Sequence, residues 1–169
     1  MTQRAAVLID GRDMDALRGH GWELDYARVL KAAGRGNPGR ADGGFLRNVV
    51  IAQVYLEARD APGAGWHRFL SFLRGQGYAT SLCDNGAVHV QIVHDLLVCT
   101  LTGRIDAAIL VLGNGVAING GFEEAIQTVK AHAVHVETWA LDTVPESVKG
   151  ATQFRDLKQT TLLRRARHS

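Results

Sequence analysis

Cysteine is scarce in this chain, and no apolar run approaches the length of a membrane span. The 169 residues include only two cysteines, Cys83 and Cys99, which lack the spacing of metal ligands. Both lie among apolar residues, so we expect them to be reduced thiols in the core. A transmembrane helix needs roughly 20 consecutive apolar residues, and no segment comes close. The sequence therefore argues against a cysteine-ligated metal site and against a membrane-spanning protein.

Net charge is also small, although the charges are unevenly placed. The chain has 19 basic and 17 acidic residues, and the resulting net charge of +2 at pH 7 does not require a polyanionic partner. No acidic residue follows Asp156, so residues 158–169 form a basic tail that either contacts phosphates or is solvated. Met1–Arg4 leads directly into a short apolar segment rather than the core of a signal peptide. We therefore expect a cytoplasmic protein.

Apolar periodicity predicts five strands that alternate with helices. The strands are predicted at Ala5–Ile9, Asn48–Leu56, Tyr78–Cys83, Asp106–Leu112 and Val134–Trp139. The helices are predicted at Trp22–Ala33, Trp66–Leu73, Val88–Leu101 and Phe122–Ala131, with a short one starting at Pro145. This alternation predicts a parallel, doubly wound sheet with right-handed crossovers. We expect one domain over residues 1–157, with a flexible glycine-rich loop at 34–44.

A carboxylate stands at the end of the first predicted strand. The segment Ala5–Ala16 reads AAVLIDGRDMDA, so the apolar run ends in Asp10 and Gly11 breaks it. Asp10 has two interpretations. It can cap the next helix by accepting hydrogen bonds from unpaired helix-start amides. It can also point into a ligand site, because ligands gather beyond the carboxyl ends of parallel strands.

Four segments, taken in order, resemble the NYN branch of the PIN-like ribonuclease superfamily. They read LIDGRDM, GAVHVQIVHDLL, GRIDAAILVLGNG and ATQFRDL, and the resemblance runs from Ala5 to about Leu157. It implies a PIN-like three-layer α/β/α sandwich with a five-stranded, mainly parallel sheet. It also implies clustered carboxylates that hold one or two magnesium or manganese ions. These ions activate a water for attack on an RNA phosphodiester, whose charge they neutralise.

The resemblance assigns roles to individual residues. Asp10 matches the acid after the first strand and Asp95 the acid inside the later helix, so these two are the expected catalytic residues. Asp13 stands where the family has an asparagine, and His89 replaces a carboxylate of the Val-Asp-Val stretch. The metal ligands implied are therefore Asp10, Asp13, His89 and Asp95. Imidazole is a poor ligand for magnesium, although it binds transition metals.

Other family acids are absent. Asn114 replaces the acid expected after the fourth strand, with Asn119 as a second match, and Thr152 stands near the position of the last acid. We expect four residues to contact nucleic acid, namely Arg12, Asp13, Asn114 and Arg47. The missing acids favour a weakened or inactive nuclease fold that binds nucleic acid or a protein partner, without a cofactor. An active metal-dependent endoribonuclease with a reduced acidic site, using Mg²⁺ or Mn²⁺, is the alternative. A homodimer is compatible with either.

A dinucleotide-binding turn is a second alternative. LVLGNGVAINGG follows a predicted strand and precedes a helix, and Gly113 and Gly115 fit the first two glycines of G-x-G-x-x-G. Ile118 occupies the third glycine position, where it would crowd the helix against the strand. Glu137 lies some twenty residues further on, as the acid that binds a ribose does in that motif.

Overall fold

Six parallel strands form one sheet in the part of the chain that the structure describes. The structure is a computed structural model, and it describes residues 2–35, 46–59, 63–113, 120–141, 143–151 and 153–166. The strands of the sheet are β1 (Gln3–Asp10), β3 (Arg47–Glu57), β4 (Ala79–Cys83), β5 (Ala107–Val111), β6 (His135–Ala140) and β7 (Gln153–Asp156). Their order across the sheet is β4-β3-β1-β5-β6-β7. The chain therefore begins in the middle of the sheet, builds one half and then returns to build the other.

Helices cover both faces of this sheet. They are α1 (Gly11–Gly19), α2 (Tyr26–Arg35), α3 (Ala64–Gly75), α4 (Val88–Leu101), α5 (Gly120–Ala131) and α6 (Glu146–Ala151). Alternate residues of β1 point to opposite faces: Ala5, Val7 and Ile9 join a core with α1–α3, whereas Ala6 and Leu8 join a core with α4–α6. This arrangement explains why β1 is apolar at every interior position. The predicted three-layer α/β/α sandwich with a mainly parallel sheet is confirmed.

The number of strands was predicted wrongly. The sheet has six strands rather than five. The missed strand is β7, whose sequence QFRD is short and mostly polar, as an edge strand can be because only one side of it is paired.

The predicted helix over 22–33 is also wrong at its start, since Trp22–Leu24 is a strand, β2. At its other end α2 includes Gly34 and Arg35, which were assigned to the loop at 34–44, and residues 36–44 lie outside the described residues.

The strand β2 pairs antiparallel with β8 (Leu163–Arg165), in the segment predicted to be a basic tail. Arg164 Nε lies 2.6 Å from Glu23 Oε1, and the Arg165 guanidinium stacks 4.5 Å above the Trp22 ring. Leu162, just before β8, is buried in the core. Part of that segment is therefore folded against the domain, where its cations have partners.

Among the described helices, none combines the length and the apolar character needed to cross a bilayer. Cys83 and Cys99 are free and buried, and burial raises the pKa of both thiols. Both cysteines are therefore core residues that stay in the uncharged thiol form.

A buried ion pair spans four strands on the face covered by α1–α3. Arg47, at the start of β3, reaches Glu137 of β6, and its Nη1 lies 2.6 Å from Glu137 Oε1. Both side chains are almost fully buried. The indole N–H of Trp139 donates to Glu137 Oε2 at 2.9 Å, and His135 and Arg155 lie 3.5 and 3.8 Å from the carboxylate. Burial opposes ionisation of Glu137, but His135, Arg47 and Trp139 outweigh it and lower the pKa to about 2.

This pKa predicts how stability depends on acid. The native pKa of Glu137 lies below its ordinary value of 4.5. Its contribution, up to roughly 3 kcal/mol, is therefore present above pH 4.5 and lost as the pH falls toward 2. In Glu137→Gln, the free energy of unfolding should decline less over this window, as measured by urea denaturation at a series of pH values. The exposed Glu124→Gln is the control and should keep the wild-type profile; parallel profiles for all three proteins would contradict this assignment.

Candidate functional site

The chain changes direction between β1 and β5 at the carboxyl edge of the sheet, and the region beside these strand ends is called the crevice below. The two strands are adjacent and parallel, but the chain leaves β1 into α1 on one face and leaves β5 toward α5 on the other. Where connections diverge in this way, the carboxyl ends of the strands border an open space that ligands use. Any polar side chain at the end of β1 therefore lies at the natural binding position of this fold.

Asp10 occupies that position and also caps α1. It is fully buried, and its Oδ1 accepts a hydrogen bond from the backbone N–H of Asp13 at 3.0 Å. The capping interpretation of this carboxylate is therefore confirmed, and the ligand-site interpretation stays a prediction. Gly11 explains the sharp turn, because a Cβ there would lie 2.3 Å from Leu56 Cδ2 and 2.7 Å from the Tyr55 carbonyl oxygen. The turn fits against β3 only with glycine.

Asp13 connects the two sides of the crevice. Its Oδ2 accepts a hydrogen bond at 3.0 Å from the backbone N–H of Gly113, the second residue after β5. Gly113 is also required for space, since a Cβ there would lie 2.5 Å from Asp13 Cβ. Burial and the neighbouring charge of Asp10 raise the pKa of Asp13, with partial compensation from the Gly113 N–H, His89 and Arg12. Asp13 is therefore less readily ionised than an exposed aspartate.

Two cationic or basic side chains stand against Asp10. His89, in the first turn of α4, is buried, and its Nε2 lies 2.6 Å from Asp10 Oδ2. Arg12 Nη2 lies 3.7 Å from the same oxygen and 3.3 Å from His89 Nε2. Its other nitrogen, Nη1, lies 3.8 Å from Glu57 Oε1 at the end of β3. Arg12 was predicted to contact nucleic acid, but here it is half-buried between two carboxylates of its own chain.

The structure brings three of the four predicted metal ligands together. Ligand atoms of Asp10, Asp13 and His89 all lie within 4.8 Å of one another, and all three residues are buried. Asp10 Oδ2 has no well-aligned hydrogen-bond donor despite its short contact with His89, so a cation could use it. The donor set suits a transition metal better than Mg²⁺, which prefers oxygen ligands only. The guanidinium of Arg12 further reduces the attraction of the group for any divalent ion.

Asp95 lies outside this group. Its Oδ2 accepts a hydrogen bond from the Tyr55 hydroxyl at 2.9 Å, and its Oδ1 accepts one from the Gln91 amide at 2.9 Å. His94 Nδ1 is also 2.9 Å from Oδ1. Burial and the charge of Asp95 raise the pKa of Tyr55, so the hydroxyl stays protonated and can donate its hydrogen bond to Asp95. The contacts made by Asp95 therefore hold the end of β3 against α4.

Arg47 does not reach the crevice. It pairs in register with Gln3 at the start of the sheet, whereas Asp10 pairs with Tyr55 at the other end. Seven residues of strand separate the two levels, or about 23 Å. Its guanidinium is buried against Glu137, so the prediction that Arg47 contacts nucleic acid at this site is not supported by its position. Asn114 and Asn119, the two matches for the fourth-strand acid, lie outside the described residues, as does Thr152.

The structure also bears on the dinucleotide alternative. Glu137, the proposed ribose-binding acid, is the third residue of β6 and is 1% exposed. It is paired with Arg47 rather than available to a ligand. Gly113 has a packing role against Asp13, and the remainder of the motif up to position 119 lies outside the described residues.

Glu57 is a site residue that the sequence analysis did not select. It ends β3 beside the crevice, where it contacts Arg12 and its Oε1 accepts a hydrogen bond from the Gly86 N–H at 3.3 Å. The signal was available in the sequence, because Glu57 ends an apolar strand as Asp10 does.

Comparison with known proteins identifies the family. The model of the NYN domain matches residues 4–158, which is most of the chain. The protein therefore belongs to the NYN-domain family, within the PIN-like ribonuclease superfamily. NYN nuclease folds typically use divalent metals, and NYN domains generally bind RNA. No curated protein sequence gave a significant match.

The close approach at Gly11 leads to a stability prediction. Gly11→Ala forces the added methyl against Leu56 and the Tyr55 carbonyl, and overpacking of this kind costs about 1–3 kcal/mol. The free energy of unfolding in urea should fall by that amount. Gly65→Ala in α3, where a Cβ meets nothing within 4 Å, is the matched control and should lose no stability. Equal free energies of unfolding for the two variants would mean that the close approach of the chain to β3 does not depend on glycine at position 11.

Proposed function

We propose that this protein uses the NYN fold to bind RNA and does not cleave it in the presence of Mg²⁺. The observation that carries this proposal is the 2.6 Å contact between His89 Nε2 and Asp10 Oδ2, with Arg12 3.7 Å from the same oxygen. A hard divalent cation at Asp10 would have to displace or tolerate both groups. The proposal therefore rests on partners that the protein itself supplies to its principal acid.

The charges of the crevice support this conclusion. Metal-assisted phosphodiester hydrolysis needs a cation to generate the nucleophile and to neutralise the phosphate. Here Asp10 Oδ1 and Asp13 Oδ2 already accept backbone hydrogen bonds. Arg12 supplies positive charge within the group, and the imidazole of His89 occupies the position where the family has a carboxylate. The remaining donor set does not fit Mg²⁺, so no step of a magnesium-dependent reaction is assigned to these residues.

A cavity that borders the crevice supports nucleic-acid binding. It has a volume of about 360 Å³ and includes Asp13 in its wall together with Trp22, His20 and Lys158. Trp22 and Lys158 place an aromatic ring, on which the Arg165 guanidinium also stacks, next to a cation in this wall. Such a combination binds single-stranded nucleic acids, because bases stack on aromatic rings and phosphates pair with cations. Volumes of about 300–1,000 Å³ are usual for ligand sites. The NYN family membership points to RNA as the nucleic acid.

One observation favours a second candidate, a ribonuclease that depends on a transition metal. The three ligand atoms of Asp10, Asp13 and His89 are close enough to share an ion, and Asp10 Oδ2 lacks an aligned donor. In that case Asp10 would be the principal ligand and His89 would bind through a neutral imidazole. Mn²⁺ is the ion with which we would test this candidate.

The test combines metal titration with RNA binding and cleavage. Metal-free protein is titrated with Mg²⁺ and with Mn²⁺ in a calorimeter, and the titration is repeated with Asp10→Asn. Binding of a labelled single-stranded RNA is followed by fluorescence anisotropy, and its integrity by gel electrophoresis. We expect RNA binding, no heat of metal binding and intact RNA. Cleavage that requires Mn²⁺ and disappears in Asp10→Asn would establish the second candidate, and absence of RNA binding would refute the proposal.

A substitution at position 89 should restore metal affinity. His89→Asp places a third carboxylate beside Asp10 and Asp13, where mutual repulsion destabilises the metal-free protein. We expect a lower melting temperature without metal and recovery with millimolar Mg²⁺, because an ion that binds only the folded state stabilises it. His67→Asp, an exposed position on α3, is the control and should show no Mg²⁺-dependent recovery. An identical response to Mg²⁺ in both variants would contradict the assignment of His89 to this group.

A further inference from the structure

A second cavity, separate from the crevice, is lined mostly by cations. It has a volume of about 420 Å³, and no residue lines both it and the cavity next to Asp13. Its wall contains Arg28, Lys31 and Arg35 of α2, Arg155 of β7, and Thr161 and Leu162. The volume falls within the usual range for ligand sites of about 300–1,000 Å³. The concentration of positive charge distinguishes it from the other described cavities.

The amphipathic pattern of α2 explains why these cations converge. Positions 28, 31 and 35 are spaced by three and four residues and therefore share one face of the helix. The opposite face carries Val29 and Ala33, which are fully buried in the core. Packing of that apolar face fixes the rotation of the helix and presents all three cations on one side. Arg155 completes the wall from a different element.

The charges of this cavity are only partly neutralised. Arg28 Nε lies 3.3 Å from Asp25 Oδ2, and Arg155 Nη2 lies 3.8 Å from Glu137 Oε2, a carboxylate already paired with Arg47. Within the described part of the chain, Lys31 and Arg35 have no carboxylate at ion-pair distance. Like charges one helical turn apart repel each other. An anion between them would remove that repulsion.

We propose that this cavity binds the phosphodiester backbone of RNA, an inference that rests on the RNA binding proposed above. Guanidinium groups present paired N–H donors that match phosphate oxygens, and a lysine adds a compact point charge. Arg28 already donates from Nη1 to the Thr161 carbonyl at 3.1 Å, and Arg155 stacks 4.7 Å from the centre of the Trp139 ring. These two side chains are held in place before an anion arrives. Contacts of this type position a nucleic acid without reading its sequence.

The experiment measures how salt weakens RNA binding. Each phosphate contact to a single strand contributes about 0.7 to the slope of log affinity against log salt concentration. The double variant Lys31→Gln/Arg35→Gln should therefore lower the slope by about 1.4. The ratio of wild-type affinity to variant affinity should therefore be about sevenfold larger at 50 mM salt than at 200 mM salt. The probe is a fluorescein-labelled oligouridylate, followed by fluorescence anisotropy.

The matched control removes the same charge elsewhere. Arg68→Gln/Arg74→Gln alters two exposed arginines of α3 that have no ion pair with a described residue. Its slope should stay close to that of the wild type. All of the altered side chains are exposed, so unchanged melting temperatures are expected and should be verified by circular dichroism.

The outcomes separate this inference from the proposed function. If the wild type binds RNA but both double variants show the same dependence of affinity on salt as the wild type, the cavity is not a phosphate site. The proposal that the protein binds RNA is then unaffected. If the wild type binds no RNA, both proposals fail. Competition with polyglutamate tests whether the cavity accepts any polyanion. Displacement of RNA by polyglutamate at equal charge concentration would overturn the assignment to phosphate in favour of an acidic protein partner.

Discussion

The buried carboxylate of Asp10 is the constraint around which the carboxyl end of the sheet is arranged. A buried charge is costly unless it is paired and hydrogen-bonded. Asp13 supplies a backbone donor from α1, and His89 supplies a ring nitrogen from α4. These two helices lie on opposite faces of the sheet. One side chain at the end of β1 therefore links all three layers of the domain.

Neutralisation within the crevice changes what it can attract. A cluster of unpaired carboxylates repels a phosphate until a metal ion intervenes. In this protein Arg12 lies beside both Asp10 and Glu57, and the Asp13 carboxylate accepts the Gly113 N–H. The crevice is thus closer to electrical neutrality than a purely acidic site. In the function proposed above, this partial neutralisation lowers the repulsion of a phosphate, and the chemistry that a bound cation would supply is absent.

The sequence predicted what depends on local pattern and missed what depends on distant pairing. The strand at Ala5–Ile9, its terminal Asp10 and the helix Val88–Leu101 all follow from apolar periodicity, and the structure contains each of them. Trp22–Leu24 forms a strand only because Leu163–Arg165 lies beside it, and no local pattern carries that information.

Arg47 illustrates the same limit for a side chain. A loop-adjacent arginine is typical of phosphate contacts, yet this one pairs with Glu137, which lies three strands away in the sheet. The same limit applies to Glu137. Its spacing from Gly113 suggested that it binds a ribose, whereas its partners in the structure come from β3 and β7. Residue type predicted the charge of both groups, and only the tertiary fold determined where each charge is neutralised.

The β2–β8 ribbon has a consequence for the order in which the molecule assembles. It pairs segments close to the two ends of the chain, so closing it requires a loop that contains nearly the whole domain. Contacts between such distant residues form slowly, and among the described strands β8 is the last to be synthesised. Until then Trp22 lacks the Arg165 guanidinium that stacks on it, and Glu23 lacks Arg164. Strands β1 and β3–β6 can therefore pair while this edge of the molecule is still unpaired.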